Sequence, residues 1–341
     1  MLKKISIILL SLFFVGFLYA QDSQTGKILG GKQSTMPSWF MNSFLELSDD
    51  IDELASQDKR LMVFVEQDGC PYCHAFITKN LQDKTTKDKL QKHFGVIAIN
   101  MFGSKEMVDT DGQTLTEKEF ALKHKIQFTP TLIFYNEEGE QILRLNGYVD
   151  IPQFNLALDY VIGKRERDLT YKQFLSNNYE NKKDAKLIEE KDLFKKSKNF
   201  MRTEGSNKMA IFFETPACKQ CEVLHDTLLK DKLTRDLLKK IDVYQVDLNS
   251  SNSIVNPHKM IVKIKDWADE LNITHIPTVI FFDEKGEEIV RVEAILKNYH
   301  FQSIVDYVAS DAFKEEKEFQ RYLTKRTDAI RAKGIDVDIW E

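Results

Sequence analysis

Cysteine is scarce in this chain, with four in 341 residues. A framework of structural disulfides would scatter more of them to close long loops. The four instead fall as two C-x-x-C pairs, Cys70/Cys73 and Cys218/Cys221. Each pair closes so short a ring that stabilisation is a poor explanation, and redox chemistry or metal binding is the better one. One four-Cys zinc ribbon is disfavoured, because the pairs lie far beyond the usual gap of about 15–20 residues. Basic blocks are also missing. Lys and Arg are scattered among Asp and Glu, the formal charge is −5, and nothing argues for a nucleic-acid partner, which usually needs a basic patch. No apolar run reaches the roughly 20 residues of a membrane span. The stretch Ile5 to Phe17 follows Lys3 and Lys4 and ends at Ala20, just before the polar Gln21-Asp22-Ser23-Gln24. This is the pattern of a cleaved secretory signal over residues 1–20, although Leu18 is larger than the residue usual at its place. No Cys stands at the cut to carry a lipid, so no permanent membrane anchor is expected.

What the chain does have is one unit written twice. Met62-Val63-Phe64-Val65-Glu66 leads into Cys70-Pro71-Tyr72-Cys73, and Ala210-Ile211-Phe212-Phe213-Glu214 leads into Cys218-Lys219-Gln220-Cys221. Thr129-Pro130-Thr131 opens one later apolar run and Ile276-Pro277-Thr278 the other, each followed by an acidic turn ending at Gly139 or Gly286. The first Cys precedes that Pro by 60 residues in one copy and 59 in the other. Within copy one the pattern predicts helices at Trp39–Gln57, Tyr72–Leu81, Glu117–His124 and Pro152–Ile162. Strands are predicted at Leu61–Val65, Val96–Asn100, Thr131–Tyr135 and Gln141–Leu145. That order implies an α/β fold with a mixed sheet and helices on both faces. Residues 21–38 and 166–183 read as linkers, flanking domains at 39–165 and 184–341, and Asp311 to Lys333 reads as a charged amphipathic helix. Trp39, Phe40, Phe44 and Leu47 recur at helical spacing and are expected in the core, as are Phe120 and Trp267.

Thiol–disulfide exchange needs an exposed thiolate and a second thiol near enough to resolve the mixed disulfide. A C-x-x-C pair at a helix N-terminus supplies both, because the free N–H groups and the macrodipole lower the pKa of the first Cys. Cys70 and Cys218 are therefore the expected nucleophiles, and Cys73 and Cys221 the resolving partners. Pro71 suits the first helical position. Tyr72, between the thiols, is expected as an exposed substrate contact. The string Cys70-Pro71-Tyr72-Cys73-His74 is also a literal c-type haem attachment sequence. Against this stand the strand before it, Pro130 after it, and Glu222 where copy two would need the His. A metal-carrying role for the Cys pairs with His74 and His225 is a further alternative.

A strand, then C-P-Y-C, then a distant Thr-Pro-Thr resembles the thioredoxin superfamily, over nearly the whole chain beyond the signal. The resemblance implies two tandem thioredoxin folds, with Pro130 and Pro277 as cis-prolines beside the disulfides. Thr129 and Ile276 would present their backbone to an extended substrate. With the export signal and Arg144-Leu145-Asn146-Gly147-Tyr148, copy one is similar to the SoxW-type periplasmic thioredoxins. There are departures. Gly69 and Ala217 stand where a Trp is usual before the first Cys, and Phe64 and Phe212 stand where the family has a buried acid. Glu66 and Glu214 share that strand parity and are candidate proton shuttles for the resolving thiols. Gly147, which would let a partner backbone approach closely, is Ala294 in copy two. The implied activity is a periplasmic thiol–disulfide oxidoreductase, most simply a reductant of protein or small sulfur-bearing disulfides. It would need no cofactor and no metal, and its electrons would come from a membrane thiol donor. An isomerase or oxidase, or a design in which one domain only binds a partner, remains open.

Overall fold

The computed structural model describes residues 25–178, 186–294 and 296–341; the segment read as an export signal lies outside them. In chain order the first half holds β1 (Ile28–Leu29), α1 (Leu47–Ser56), β2 (Arg60–Glu66), α2 (Pro71–Thr78), α3 (Lys84–His93), β3 (Phe94–Asn100), β4 (Glu106–Val108), β5 (Thr114–Thr116), α4 (Glu117–Lys123), β6 (Thr131–Tyr135), β7 (Gln141–Asn146), α5 (Ile151–Ile162) and α6 (Tyr171–Asn178). The second half repeats the plan with β8 (Met209–Glu214), α7 (Lys219–Thr227), α8 (Lys232–Leu238), β9 (Asp242–Asp247), β10 (Ser253–Val255), β11 (Ile261–Lys263), α9 (Ile264–Glu270), β12 (Thr278–Phe282), β13 (Glu288–Val292) and α10 (Asn298–Ala309). The tail adds α11 (Ala312–Glu315), α12 (Phe319–Arg331) and β14 (Val337–Asp338).

The two main sheets run β3-β2-β6-β7 and β9-β8-β12-β13. In each, the first pair is parallel and the other two antiparallel, so both are mixed. Strand alternation sorts the apolar side chains of β2 onto two faces. Leu61, Val63 and Val65 pack with Ile51, Leu54 and Phe120 from α1 and α4. Met62 and Phe64 pack with Phe76 and Phe154 from α2 and α5. That second cluster continues without a break into Phe212, Phe281 and Phe301 of the other copy. The two domains thus share an apolar interior rather than hanging on a linker.

Several expectations need correction. The first helix begins at Leu47, not Trp39, because Leu45 takes a left-handed backbone (φ 66°) just before it. Phe44 is 95% exposed, so it is not core; Trp39 and Phe40 pack half-buried against the first domain's interior. Phe120 and Trp267 are buried as expected. The stretch 166–183, read as a linker, contains α6, whose Tyr171 is buried against Tyr160. The expected tail helix is broken in two, between Glu315 and Phe319. The segments after β3 and β9 form two-stranded hairpins, β4–β5 and β10–β11. A feature not anticipated is the parallel pairing of β1 with β14, which ties the two ends of the described chain together.

Candidate active site

Register brings the distant motifs together. Val65 near the end of β2 pairs with Thr131 at the start of β6, and Phe213 pairs with Thr278 in the same way. The chain leaving β2 enters the Cys70 loop, and the chain entering β6 passes through Thr129 and Pro130, so the two loops must meet. Both X–Pro bonds, Thr129–Pro130 and Ile276–Pro277, are cis, as the resemblance implied. The residue before each first Cys has a positive φ, 72° at Gly69 and 58° at Ala217. A Cβ at Gly69 would touch nothing within 4 Å, so this glycine answers to backbone conformation alone, which L-residues adopt at a cost.

Each first Cys is the N-cap of its helix. Cys70 Sγ accepts the Cys73 backbone N–H at 3.0 Å, and Cys218 Sγ accepts that of Cys221 at 3.0 Å. The N-terminal N–H groups and the helix dipole favour negative charge at that sulfur. Both pairs are disulfide-bonded. Cys73 and Cys221 are buried. The two attacking positions differ: Cys70 is 3% exposed, whereas Cys218 is only half-buried. The Thr129 hydroxyl donates to Cys70 Sγ at 3.3 Å, and the Thr129 carbonyl lies 3.7 Å from the same sulfur. Copy two has Ile276 at this place, with no hydroxyl to give.

Tyr72 is not an exposed substrate contact. It is 6% exposed, with its hydroxyl accepting the Lys297 N–H at 2.8 Å and lying 3.2 Å from His300 Nδ1. Its ring meets those of His300 and Trp340 edge-on. Burial holds the His300 imidazole down at about 4, so it is neutral near pH 7 and its Nδ1 can accept the tyrosine proton. Gly147 permits the close approach expected of it, but to a neighbour within the chain. A Cβ there would stand 2.6 Å from the Ala294 Cβ, and Asn146 Nδ2 donates to Glu293. A cavity of about 340 Å³ next to Ile276 and Pro277 is walled on its other side by Tyr72 and Tyr148. The segments that carry Tyr72 and Tyr148 and those that carry Ile276 and Pro277 therefore line one cavity at the domain interface.

The paired acids differ as well. Glu66 is half-buried; burial, followed by the charges of Asp68 and Glu117, raises its pKa above the usual carboxylate value. Glu214 is fully buried, with His225 Nε2 3.1 Å from both of its oxygens and Gln245 donating to one at 2.9 Å. His225 Nδ1 lies 3.0 Å from Glu190. Burial alone would lower the His225 pKa, but its bonds to Glu214 and Glu190 win and raise it. His74 Nδ1 lies against the Gln33 carbonyl. Among the described residues no group of three or more His, Cys, Asp or Glu is placed to hold a metal ion. The residues missed from sequence are Lys297, His300 and Trp340, which cover Tyr72, and Glu190 and Gln245, which complete the Glu214 cluster. None carries a local motif.

A model of the thioredoxin-like domain family matches residues 47–162 and again 194–309. The chain belongs to that family, with two copies of its domain. Similar solved structures include a thioredoxin-fold protein from Helicobacter pylori, 18% identical, covering 40% of this chain and 94% of that one, TM-score 0.37. A thioredoxin from Thermus thermophilus is 19% identical over 41% of this chain and 89% of that one, TM-score 0.29. A disulphide isomerase from Xylella fastidiosa is 11% identical over 43% and 98%, TM-score 0.25. No curated protein matches the chain. Family membership, together with two C-x-x-C pairs, each capping a helix, marks the chain as a thiol–disulfide oxidoreductase.

Proposed function

We propose that the chain is exported to a periplasm and works there as a reductant of protein or small sulfur-bearing disulfides. Its own electrons would come from a membrane-bound thiol donor. The observation that carries this reading is the Cys70 sulfur, held at a helix N-terminus between the Cys73 N–H and the Thr129 hydroxyl, beside a buried partner thiol. Two hydrogen-bond donors at one sulfur, together with the helix N-terminus, suit a thiolate nucleophile. The export half of the reading rests on residues 1–20 and on the resemblance.

Reduction potentials test the direction. Each Cys pair is equilibrated with a thiol buffer, trapped and mapped by mass. A value near about −270 mV supports a reductant, and one near about −120 to −180 mV an oxidase or isomerase. The unequal exposure of Cys70 and Cys218 favours a second reading, in which the copies divide the work and only one turns over a given substrate. Cys70→Ser and Cys218→Ser assayed separately decide it: loss of turnover in one variant alone supports the division.

A further inference from the structure

The edge that a polypeptide substrate would need at the first site is occupied by the chain itself. Ala294 sits over Gly147, and Lys297 and His300 hold Tyr72. Gln320 of α12 donates to the Gln127 carbonyl at 2.8 Å, while Phe319 packs on Phe128 at 5.7 Å, directly before Thr129. On the other side the Lys32 N–H donates to the Gly69 carbonyl at 3.2 Å. The N-terminal segment that does this is tied to the tail by β1–β14 pairing. What remains beside Cys70 is a cavity of about 370 Å³. That is near the low end of the roughly 300–1,000 Å³ typical of small-molecule sites. A polypeptide lying along that edge would have to displace these contacts.

The lining carries chemical information. Among the described residues it includes Asp68 and Asp328 but neither Lys nor Arg, with Asp328 paired to Arg331 at 3.1 Å outside the lining. Phe128, Leu296 and Leu323 supply apolar wall. Gln67 also lines it, and its buried Oε1 accepts no hydrogen bond from the described residues. The exposed Asp68 carboxylate in the same lining accepts hydrogen bonds, so a ligand bearing donors suits it.

We propose that Cys70/Cys73 acts on a low-molecular-weight disulfide that bears hydrogen-bond donors and no negative charge, and excludes polypeptide disulfides. This rests on the reductase reading and narrows its substrate. The Cys70 thiolate attacks one sulfur of R–S–S–R; the S–S bond breaks, a Cys70–S–R bond forms, and R–S⁻ leaves and takes a proton. The Cys73 thiolate then attacks the Cys70 sulfur and expels the second R–S⁻, which is also protonated. Two electrons pass from the dithiol to the substrate, and the Cys70–Cys73 disulfide is left for an external dithiol to reduce.

The test uses the full chain with Cys218→Ser and Cys221→Ser, so that only the first site turns over. Dithiothreitol serves as donor. The probes are cystamine, glutathione disulfide and insulin. Cystamine should be reduced with kcat/KM about 100-fold above insulin and about tenfold above glutathione disulfide, each tenfold being about 1.4 kcal/mol. Trp340→Ala, which strips a ring from Tyr72 without lining this cavity, should raise the insulin-to-cystamine ratio; Gln320→Ala serves if that variant does not fold. Insulin reduced as fast as cystamine, a preference for glutathione disulfide, or an unchanged ratio in the opened variant overturns the inference. Reduction of none of the three by a verified Cys70/Cys73 dithiol overturns the reductase reading itself.

Discussion

Replacing Thr129 by Val removes the hydroxyl that donates to Cys70 Sγ at 3.3 Å while keeping shape and β-branching. A hydrogen bond to a charged group is worth about 1.5–3 kcal/mol net, and a sulfur acceptor at this distance belongs at the low end. About 1.5 kcal/mol corresponds to a rise of about one pKa unit for the Cys70 thiol. Two effects then oppose each other. Below both pKa values the thiolate fraction falls about tenfold, but each remaining thiolate is about threefold more nucleophilic for a Brønsted slope near 0.45, so alkylation slows only about threefold. Above both values the thiolate is fully formed in either protein, and the variant becomes about threefold faster. The two pH–rate curves must therefore cross. In that alkaline range the dithiol also loses about 1.4 kcal/mol of stabilisation, so the potential moves about 30 mV more negative. Alkylation of reduced protein, mapped by mass, reads both cysteines at once. Cys218, with Ile276 above it, is the internal control, and Thr129→Ser should behave as wild type. Parallel rather than crossing curves, or a pKa shift below about 0.3 unit, refutes the assignment of the hydroxyl to the thiolate.

Glu66→Gln should slow resolution of the Cys70 mixed disulfide by about 100-fold. The carboxyl pKa is raised above its usual 4.5, chiefly by burial, so the base is present only above that raised value. Rapid-quench kinetics should show the wild-type rate climbing with pH where the variant stays flat; matching profiles remove Glu66 from the mechanism. His300 is held at about 4 against an ordinary 6.5, by burial. The unfolded chain therefore binds its proton first as pH falls. Stability is lost progressively from pH 6.5 down to about 4, and thermal melts of His300→Gln should lack that part of the slope. Gly147→Ala carries a backbone cost of about 1–2 kcal/mol at φ 84° plus the contact with Ala294. Ala294→Gly in the same chain should relieve the second part only, so denaturant melts should give a non-zero coupling energy. Simple additivity would mean that the two residues do not touch.

Sequence made most of each domain legible, because its signals are local or repeated. The β2 run of Leu61, Met62, Val63, Phe64 and Val65 is apolar on both faces and becomes a central, buried strand. Cys70-Pro71 marked the start of α2, where a cap and a first-turn proline both belong. Helix α3 escaped notice because Lys84 to His93 buries only Thr86 and Leu90. Its one strong signal is Asp83, which accepts the Thr86 N–H as an N-cap, and Asp231 does the same for Thr234 in copy two. Phe44 misled because its spacing fits a helical stripe that Leu45 interrupts. The cover on Tyr72 could not be read at all. Lys297, His300 and Trp340 stand more than 220 residues from it, and residues meet across a domain interface for reasons of shape that leave no periodic trace.

Two positions where the copies depart from one another, Gly147/Ala294 and Tyr72/Gln220, lie at their shared interface. Gly147 faces Ala294, and copy one could not bring its β7 end so near if it also carried a side chain there. Tyr72 in one active-site loop stands where Gln220 stands in the other. Only the tyrosine has a ring long enough to reach the α10 N-terminus and accept the Lys297 N–H. Thr129 donates to its sulfur, while Ile276 cannot. Symmetric copies would present two equivalent open sites, each free for a polypeptide. Here the same duplication yields one covered cysteine with an added hydrogen-bond donor and one half-buried cysteine without it. The extra donor at Cys70 would stabilise its thiolate over that of Cys218, and reduction potential follows such stabilisation. The asymmetry is therefore chemical as well as steric, and it arises from side chains at the seam between two otherwise matching folds.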